Sequence, residues 1–134
     1  MADTGMIHKS YDFYVDDEIA GEAITKGDCI HPNVSNQRVM LTDGDSTDIP
    51  PYGVALEAGT AAATTISVCW RGVVECNCTP AATIYKNTPL AAGAAGYVTA
   101  GWTTAIAEHR VVGHLLDTSI TTATAECKVM LAGW

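Results

Sequence analysis

The sequence is poor in positive charge, and this shortage limits the partners that the protein can bind. Only 7 of its 134 residues are Lys or Arg, against 15 Asp and Glu, so the formal net charge is −8. Such a field repels phosphate backbones and disfavours nucleic acid as a partner. Many of the acidic residues lie in the first 50 positions, where they form either a solvated face or a surface that meets a basic partner.

Long apolar stretches are also missing. No window approaches the roughly 18 uninterrupted apolar residues of a transmembrane helix, so no contact with the membrane interior is predicted. The opening stretch MADTGMIHKSYDF lacks the apolar core of a signal peptide. We therefore expect a product of the cytoplasm with reduced thiols at its five cysteines, which are Cys29, Cys69, Cys76, Cys78 and Cys127.

Motifs that carry catalysis or bind metals are absent from the sequence. There is no G-x-S-x-G, no phosphate-binding glycine loop and no H-E-x-x-H. Cys76 and Cys78 are spaced too closely for a zinc pair and have no second pair. The stretch from Asp43 to Asp48 resembles a calcium loop, but Val54 stands where such a loop needs its bidentate Glu. We predict no catalytic residue, no metal, no cofactor and no enzymatic activity.

What the sequence does contain is a globular composition with the period of β-strands. Residues of the hydrophobic class make up 48% and charged residues 16%, in a chain of single-domain length. Ile66, Val68 and Trp70 alternate with more polar neighbours, which predicts a strand. Further short strands are predicted at Ala23–Ile24, Arg38–Thr42, Thr83–Tyr85, Tyr97–Thr99 and Cys127–Leu131. Only Thr103–Glu108 suits a single helical turn, so the predicted fold is mostly β.

The two halves of the chain follow a similar pattern. An offset of 60 residues brings Gly53 onto Gly113 and Leu56 onto Leu116, and one further residue of slip aligns the strand at Ile66 with that at Cys127. Units of this size bury little surface alone, so two of them are expected to share one core. We predict pseudo-repeats at about 23–75 and 83–134 within one β domain, residues 21–134, that forms a compact small β-sandwich or barrel.

Residues 1–20 have no counterpart in this alignment and are predicted to form an extended N-terminal arm. Tyr11, Phe13 and Val15 alternate as in an extended strand, with Tyr14 between them. Such an arm is either a disordered tail or a strap that docks on the sheet edge of a neighbour. These four side chains are the candidate contacts with a partner or a neighbouring subunit.

The order of several short pieces resembles the small capsid decoration, or cement, proteins of tailed bacteriophages. The resemblance covers about residues 20–134, and Cys69 and Trp70 depart from it because the family often has a small residue or Val there. The pieces are A-I-x-K-G-D (Ala23–Asp28), G-V-A-L-E-A (Gly53–Ala58), I-S-V-x-x-R-G-V-V-E (Ile66–Glu75), V-V-G-H-L-L-D (Val111–Asp117) and C-K-V-M-L (Cys127–Leu131).

This resemblance implies a structural virion protein without catalysis or cofactor. It implies binding to the outer surface of an icosahedral capsid, where the protein bridges major capsid protein subunits as a homotrimer after synthesis in the host cytoplasm. Tyr11, Phe13, Tyr14 and Val15 are then the expected contacts with the capsid or a neighbouring subunit. The alternative is a carbohydrate-binding or adhesive β module on a virion surface, for which Trp102 is the candidate exposed aromatic.

Overall fold

A computed structural model of the chain describes residues 13–45, 47–100 and 110–131. Within these ranges the protein is mostly β, with short strands, one three-residue 3₁₀ helix and no α-helix. The predicted fold class is confirmed. No helix among the described residues is long and apolar enough to cross a bilayer.

The first half of the chain forms a five-stranded sheet. Its strands are β1 (Tyr14–Ile19), β2 (Cys29–Asn33), β3 (Arg38–Leu41), β4 (Gly53–Ala55) and β5 (Thr65–Arg71). Hydrogen bonding places them in the order β1-β5-β4-β2-β3, and every neighbouring pair is antiparallel. The predicted strand at Ala23–Ile24 is reduced to a single bridge between Ile24 and Gly59.

The second half forms another five-stranded antiparallel sheet. Its elements are β6 (Val73–Asn77), β7 (Ile84–Tyr85), β8 (Pro89–Ala92), the 3₁₀ helix Ala94–Gly96, β9 (Val98–Thr99), β10 (Val111–Leu115), β11 (Ser119–Ile120) and β12 (Glu126–Leu131). The large sheet has the order β6-β12-β10-β8-β9, and β7 pairs separately with β11. Gly72 joins the two sheets with a φ of 112°, a left-handed conformation that favours glycine.

The two sheets have the same topology, because each pairs its strands in the order first, fifth, fourth, second, third. Their registers also correspond: Gly53 lies opposite Ile30, and Gly113 lies opposite Leu90, with both members shifted by 60 residues. Parallel bridges, Ala20 with Val39 and Cys78 with Val98, bring the end of the first strand beside the third in both sheets. Each sheet is thereby curled towards a barrel.

Strand β1 belongs to this repeated architecture, although the sequence alignment began later. In the first sheet β1 pairs with β5, and in the second sheet β6 pairs with β12 in the same way. Ile19 lies opposite Thr65 and Asn77 lies opposite Glu126, so Ile19 and Asn77 are equivalent. The structural units therefore run from 14 to 71 and from 73 to 131, and residues 14–19 are part of the first sheet.

The core has two parts, which follow from the alternation of side chains across the first sheet. Ile30, Val68 and their neighbours on one face form a small cluster within the first half. Cys29 and Val54 on the other face join a larger cluster with residues of the second sheet, such as Val129. The first sheet is thus apolar on both faces, as expected for a sheet covered on both sides. The larger cluster fastens the halves together.

Candidate functional site

Among residues 13–45, 47–100 and 110–131, no strand pairs along the second edge of β1, which is called its open edge below. Strand β1 pairs with β5 along one side, and on its other side the bridge from Ala20 to Val39 is the contact with β3 at its end. An edge strand offers backbone N–H and C=O groups to which another chain can add. The edge is therefore the first candidate for an interaction surface.

The largest exposed apolar side chains of the first half include four on this segment. Phe13 is 58% exposed, Tyr14 50%, Val15 48% and Ile19 46%. Phe13 lies over the backbone of Gly72, where an added Cβ would come within 2.5 Å of the Phe13 ring. Three of the four predicted contact residues are thus exposed on one short stretch, whereas Tyr11 lies outside the described residues.

Three consecutive carboxylates, Asp16, Asp17 and Glu18, lie between Val15 and Ile19 along β1. Asp17 accepts a hydrogen bond from the Ser67 hydroxyl at 3.2 Å, and Glu18 accepts one from the Trp70 indole N–H at 3.0 Å. The Asp16 charge, together with its hydrogen bond from the tyrosine hydroxyl at 3.3 Å, raises the pKa of Tyr14. Trp70 is partly buried against the smaller core cluster. The edge combines apolar and acidic character.

A cleft of about 640 Å³ lies between the two halves, and the sequence reasoning did not identify it. Its charged groups are Lys26 from the first half and Glu75 and Glu126 from the second. The full lining is Lys26, Gly27, Ala55, Leu56, Val73, Val74, Glu75, Asn77 and Glu126. The turn Lys26-Gly27-Asp28 lies over Asn77 of β6, a contact that nothing in the local sequence indicates.

Asn77 holds this junction together. Its backbone N–H donates to the Gly27 carbonyl oxygen at 2.9 Å. Its side-chain amide donates to the Asp28 carboxylate at 3.1 Å and to the Lys26 carbonyl oxygen at 3.3 Å. Because Asp28 is buried, its carboxylate needs hydrogen-bond donors. The Asn77 amide is one, and the backbone N–H of Thr25, at 2.8 Å, is another. The contacts fix the two halves relative to each other.

The acidic loop is the one place in the described ranges where three or more potential metal ligands lie together, namely Asp43, Asp45 and Asp48. Asp48 is buried, and its two carboxylate oxygens accept the backbone N–H groups of Asp43 and Gly44 at 2.8 Å each. The same carboxylate lies 3.6 Å from His31 Nε2. These bonds give the Asp48 carboxylate a structural role in closing the loop.

All five cysteines are buried and free. Cys76 and Cys127 face each other across β6 and β12, and burial raises the pKa of both thiols. Burial likewise raises the pKa of Cys29. A protonated, buried thiol is a poor nucleophile, so these side chains pack as small apolar groups. Trp102, Trp134 and the predicted helical turn at Thr103–Glu108 lie outside the described residues.

No protein-family model matches the chain, and no curated protein sequence matches it. Inference about function therefore depends on the residues and on the repeated fold.

Proposed function

We propose that the protein decorates the outer surface of an icosahedral phage capsid and stabilises the shell by bridging subunits of the major capsid protein. The observation that carries the proposal is the exposed apolar stretch Phe13, Tyr14 and Val15 at the start of β1. Contiguous exposed apolar side chains on an otherwise polar surface are typical of protein interaction sites. The sequence resemblance to decoration proteins supplies the partner.

The rigid junction between the halves supports a clamping role. Asn77 hydrogen-bonds to three consecutive residues of the first half, and the larger core cluster spans both sheets. Halves that are joined by hydrogen bonds and a shared core can transmit force between the subunits that the protein bridges. Each contact of small area is weak by itself, but a homotrimer that touches several capsomers gains effective concentration for each later contact.

The charge fits this location. A net charge of −8 keeps the protein away from packaged and free DNA while it is made in the host cytoplasm. On the outer face of the virion the exposed carboxylate of Asp16, beside the apolar stretch, then meets capsid side chains. If the protein binds the expanded shell better than the unexpanded one, linkage stabilises the expanded state.

The contact is best tested by substitutions, since a deletion of the N-terminal residues 1–18 would also remove most of β1 from the first sheet. The variant combines Phe13→Ser, Tyr14→Ser and Val15→Ser, and the control is Val34→Ser, which changes an exposed apolar residue in the β2–β3 turn. Both are mixed with expanded capsids of the major capsid protein from the same genome, and retention is measured by co-sedimentation.

We expect the triple variant to lose at least about tenfold in retention, as for removal of a hot-spot cluster, while the control binds like the parent chain. Circular dichroism and light scattering must show an unchanged fold and oligomeric state in both. Equal retention of all three proteins would rule out the β1 edge as the capsid contact. A parent chain that does not co-sediment at all would overturn the proposed function.

A further inference from the structure

The interface between the two halves is head-to-tail. The turn Lys26–Asp28 of the first half contacts Asn77 of the second, and Thr42 of the first donates its hydroxyl to the Gly93 carbonyl oxygen at 2.7 Å. The halves share one topology, so a two-fold arrangement would repeat each contact with the roles exchanged. The counterpart of Gly27 is Asn87, and the counterpart of Asn77 is Ile19. The reciprocal contact would therefore join Asn87 to Ile19.

Within the part of the chain that the structure describes, that reciprocal contact is not made. Asn87 is exposed, and its backbone N–H donates to Leu115 of its own half at 2.8 Å, as that of Gly27 does to Ala55. Ile19 is exposed on the open edge of β1. Each half thus uses one of its two faces. We call the unused surface around Asn87 the turn face and the unused surface around Ile19 the edge face.

The side chains across the turn face support this assignment. In the first half Cys29, Val54 and Cys69 are neighbours on adjacent strands, and all three are buried in the cluster that spans both halves. Their equivalents in the second half are Pro89, His114 and Met130, which are neighbours in the same way. These three are only partly buried. A surface that is covered in one half is left partly open in the other.

The charges on the two unused faces are complementary. Lys26 of the used turn lies in the cleft with Glu75. Lys86 is the equivalent of Lys26, 60 positions later. Asp17 is the equivalent of Glu75, because Asp17 lies opposite Ser67 in the first sheet and Glu75 lies opposite Lys128 at the same register in the second. Lys86 and Asp17 are both exposed. The turn face therefore offers a cation where the edge face offers an anion.

The backbone of β1 is oriented to receive such a turn. The N–H of Ala20 donates to the Thr64 carbonyl oxygen on the inner side of the strand, and Cys78 donates to Ala125 in the same way. Backbone N–H groups alternate in direction along a strand, so the N–H groups of the preceding residues, Ile19 and Asn77, point to the outer edge. Asn77 donates there to Gly27. Asn87 has the same left-handed backbone as Gly27, but it carries a side chain, so a docked neighbour must lie slightly farther from the edge.

We propose that the turn face of one copy binds the edge face of a second copy and so continues between copies the head-to-tail contact that joins the halves. A heterologous interface of this kind closes into a ring or extends as a fibre. The trimer of the proposed function corresponds to a ring of six halves. The inference deepens that function by naming how copies join, but its test needs no capsid.

The test is a disulfide between copies. The paired variant combines Ile19→Cys with Asn87→Cys, and the control combines Ala62→Cys with Asn87→Cys, because Ala62 is exposed but has no equivalent in the contacts described above. The five native cysteines are buried and should not compete. Gly27→Cys with Asn77→Cys serves as a positive control within one chain, since an added Cβ at position 27 approaches the Asn77 amide to 2.9 Å.

Under mild oxidation we expect the paired variant to give covalent dimers and trimers on a non-reducing gel, and the control to stay largely monomeric. Light scattering should show a trimer for the parent chain and loss of it in Lys86→Glu. Adding Asp17→Lys to Lys86→Glu should restore the trimer by exchanging the two charges.

A monomeric parent chain, or cross-linking that is no greater in the paired variant than in the control, would overturn the inference. So would a trimer that persists unchanged in Lys86→Glu. A trimer that behaves as expected but fails to co-sediment with expanded capsids would leave the inference standing and contradict the proposed function alone. The two failures are therefore distinguishable.

Discussion

Gly27 and Asn87 stand 60 positions apart and have the same left-handed backbone, with φ of 91° and 71°. Each donates its backbone N–H, at 2.8 Å, to a carbonyl oxygen of its own half: Gly27 to Ala55 at the end of β4, and Asn87 to Leu115 at the end of β10. The two turns are therefore the same structure in different surroundings. Gly27 lies against the Asn77 side chain, whereas Asn87 is exposed.

Exchanging these two residues should have unequal effects. Gly27→Asn puts a side chain where an added Cβ already comes within 2.9 Å of Asn77, so we expect the free energy of unfolding to fall by about 2 kcal/mol. Asn87→Gly removes an exposed side chain from a conformation that glycine adopts readily, and we expect a change below about 1 kcal/mol. Urea unfolding of both variants measures the difference. Equal losses would contradict the packing of Gly27 at the junction.

Gly113 should be among the least replaceable residues of the second sheet. An added Cβ would overlap the carbonyl oxygen of Met130 on the neighbouring strand β12, which cannot move without breaking the ladder. We expect Gly113→Ala to cost about 3 kcal/mol. Gly21→Ala is the matched control, because its Cβ would meet the flexible thioether of Met40. Thermal unfolding should rank Gly113→Ala well below Gly21→Ala, and the reverse order would refute the argument.

Much of the fold could be predicted because its signals are local. The alternation of Ile66, Val68 and Trp70 marks β5, and that of Cys127, Val129 and Leu131 marks β12. The alignment of Gly53 with Gly113 predicted the repeat, and the two glycines do hold equivalent positions on β4 and β10, although no strand was predicted at either place.

The rest depends on contacts between residues far apart in the sequence. Strand β1 was interpreted as part of an arm because residues 1–20 have no counterpart in the sequence alignment of the two halves. Its partner β5 begins 46 positions beyond Ile19, at Thr65, so the pairing leaves no local signal. The head-to-tail junction was invisible for the same reason. Lys26-Gly27-Asp28 and Lys86-Asn87-Thr88 look alike as turns, and only tertiary packing distinguishes the one that is covered from the one that is open.

The native thiols should be unreactive. All five cysteines are buried, and burial raises the pKa of each thiol, which leaves little exposed thiolate at neutral pH. We expect a thiol-specific chromogenic reagent to modify the folded protein very slowly and to titrate 5 thiols after unfolding in urea. Ala62→Cys provides an exposed thiol that should react at once. Rapid reaction of the parent chain would show that the clusters open readily.

Alkaline pH should destabilise the fold, because the buried thiols lose their protons only when the chain unfolds. The folded-state pKa of Cys29, Cys76 and Cys127 lies above the ordinary value of 9.0, so the folded state holds these protons more tightly than the unfolded state. Stability is therefore full below pH 9 and falls as the pH rises above it, because only the unfolded chain releases the protons. Tyr52, whose pKa burial also raises, adds to the loss at higher pH.

The slope of this loss identifies the groups responsible. Each thiol that titrates only in the unfolded state contributes about 1.4 kcal/mol per pH unit once the pH is well above 9. Urea unfolding between pH 7 and 11 should therefore give a curve that is flat at first and then falls steeply. Cys76→Ala should lower the free energy of unfolding at pH 7 through the lost packing. Above pH 9, however, its free energy of unfolding should decrease less steeply with pH than that of the parent chain, by the slope that one thiol contributes. A parallel curve for the two proteins would mean that Cys76 titrates in the folded state, and hence that the junction between the halves admits water at that position.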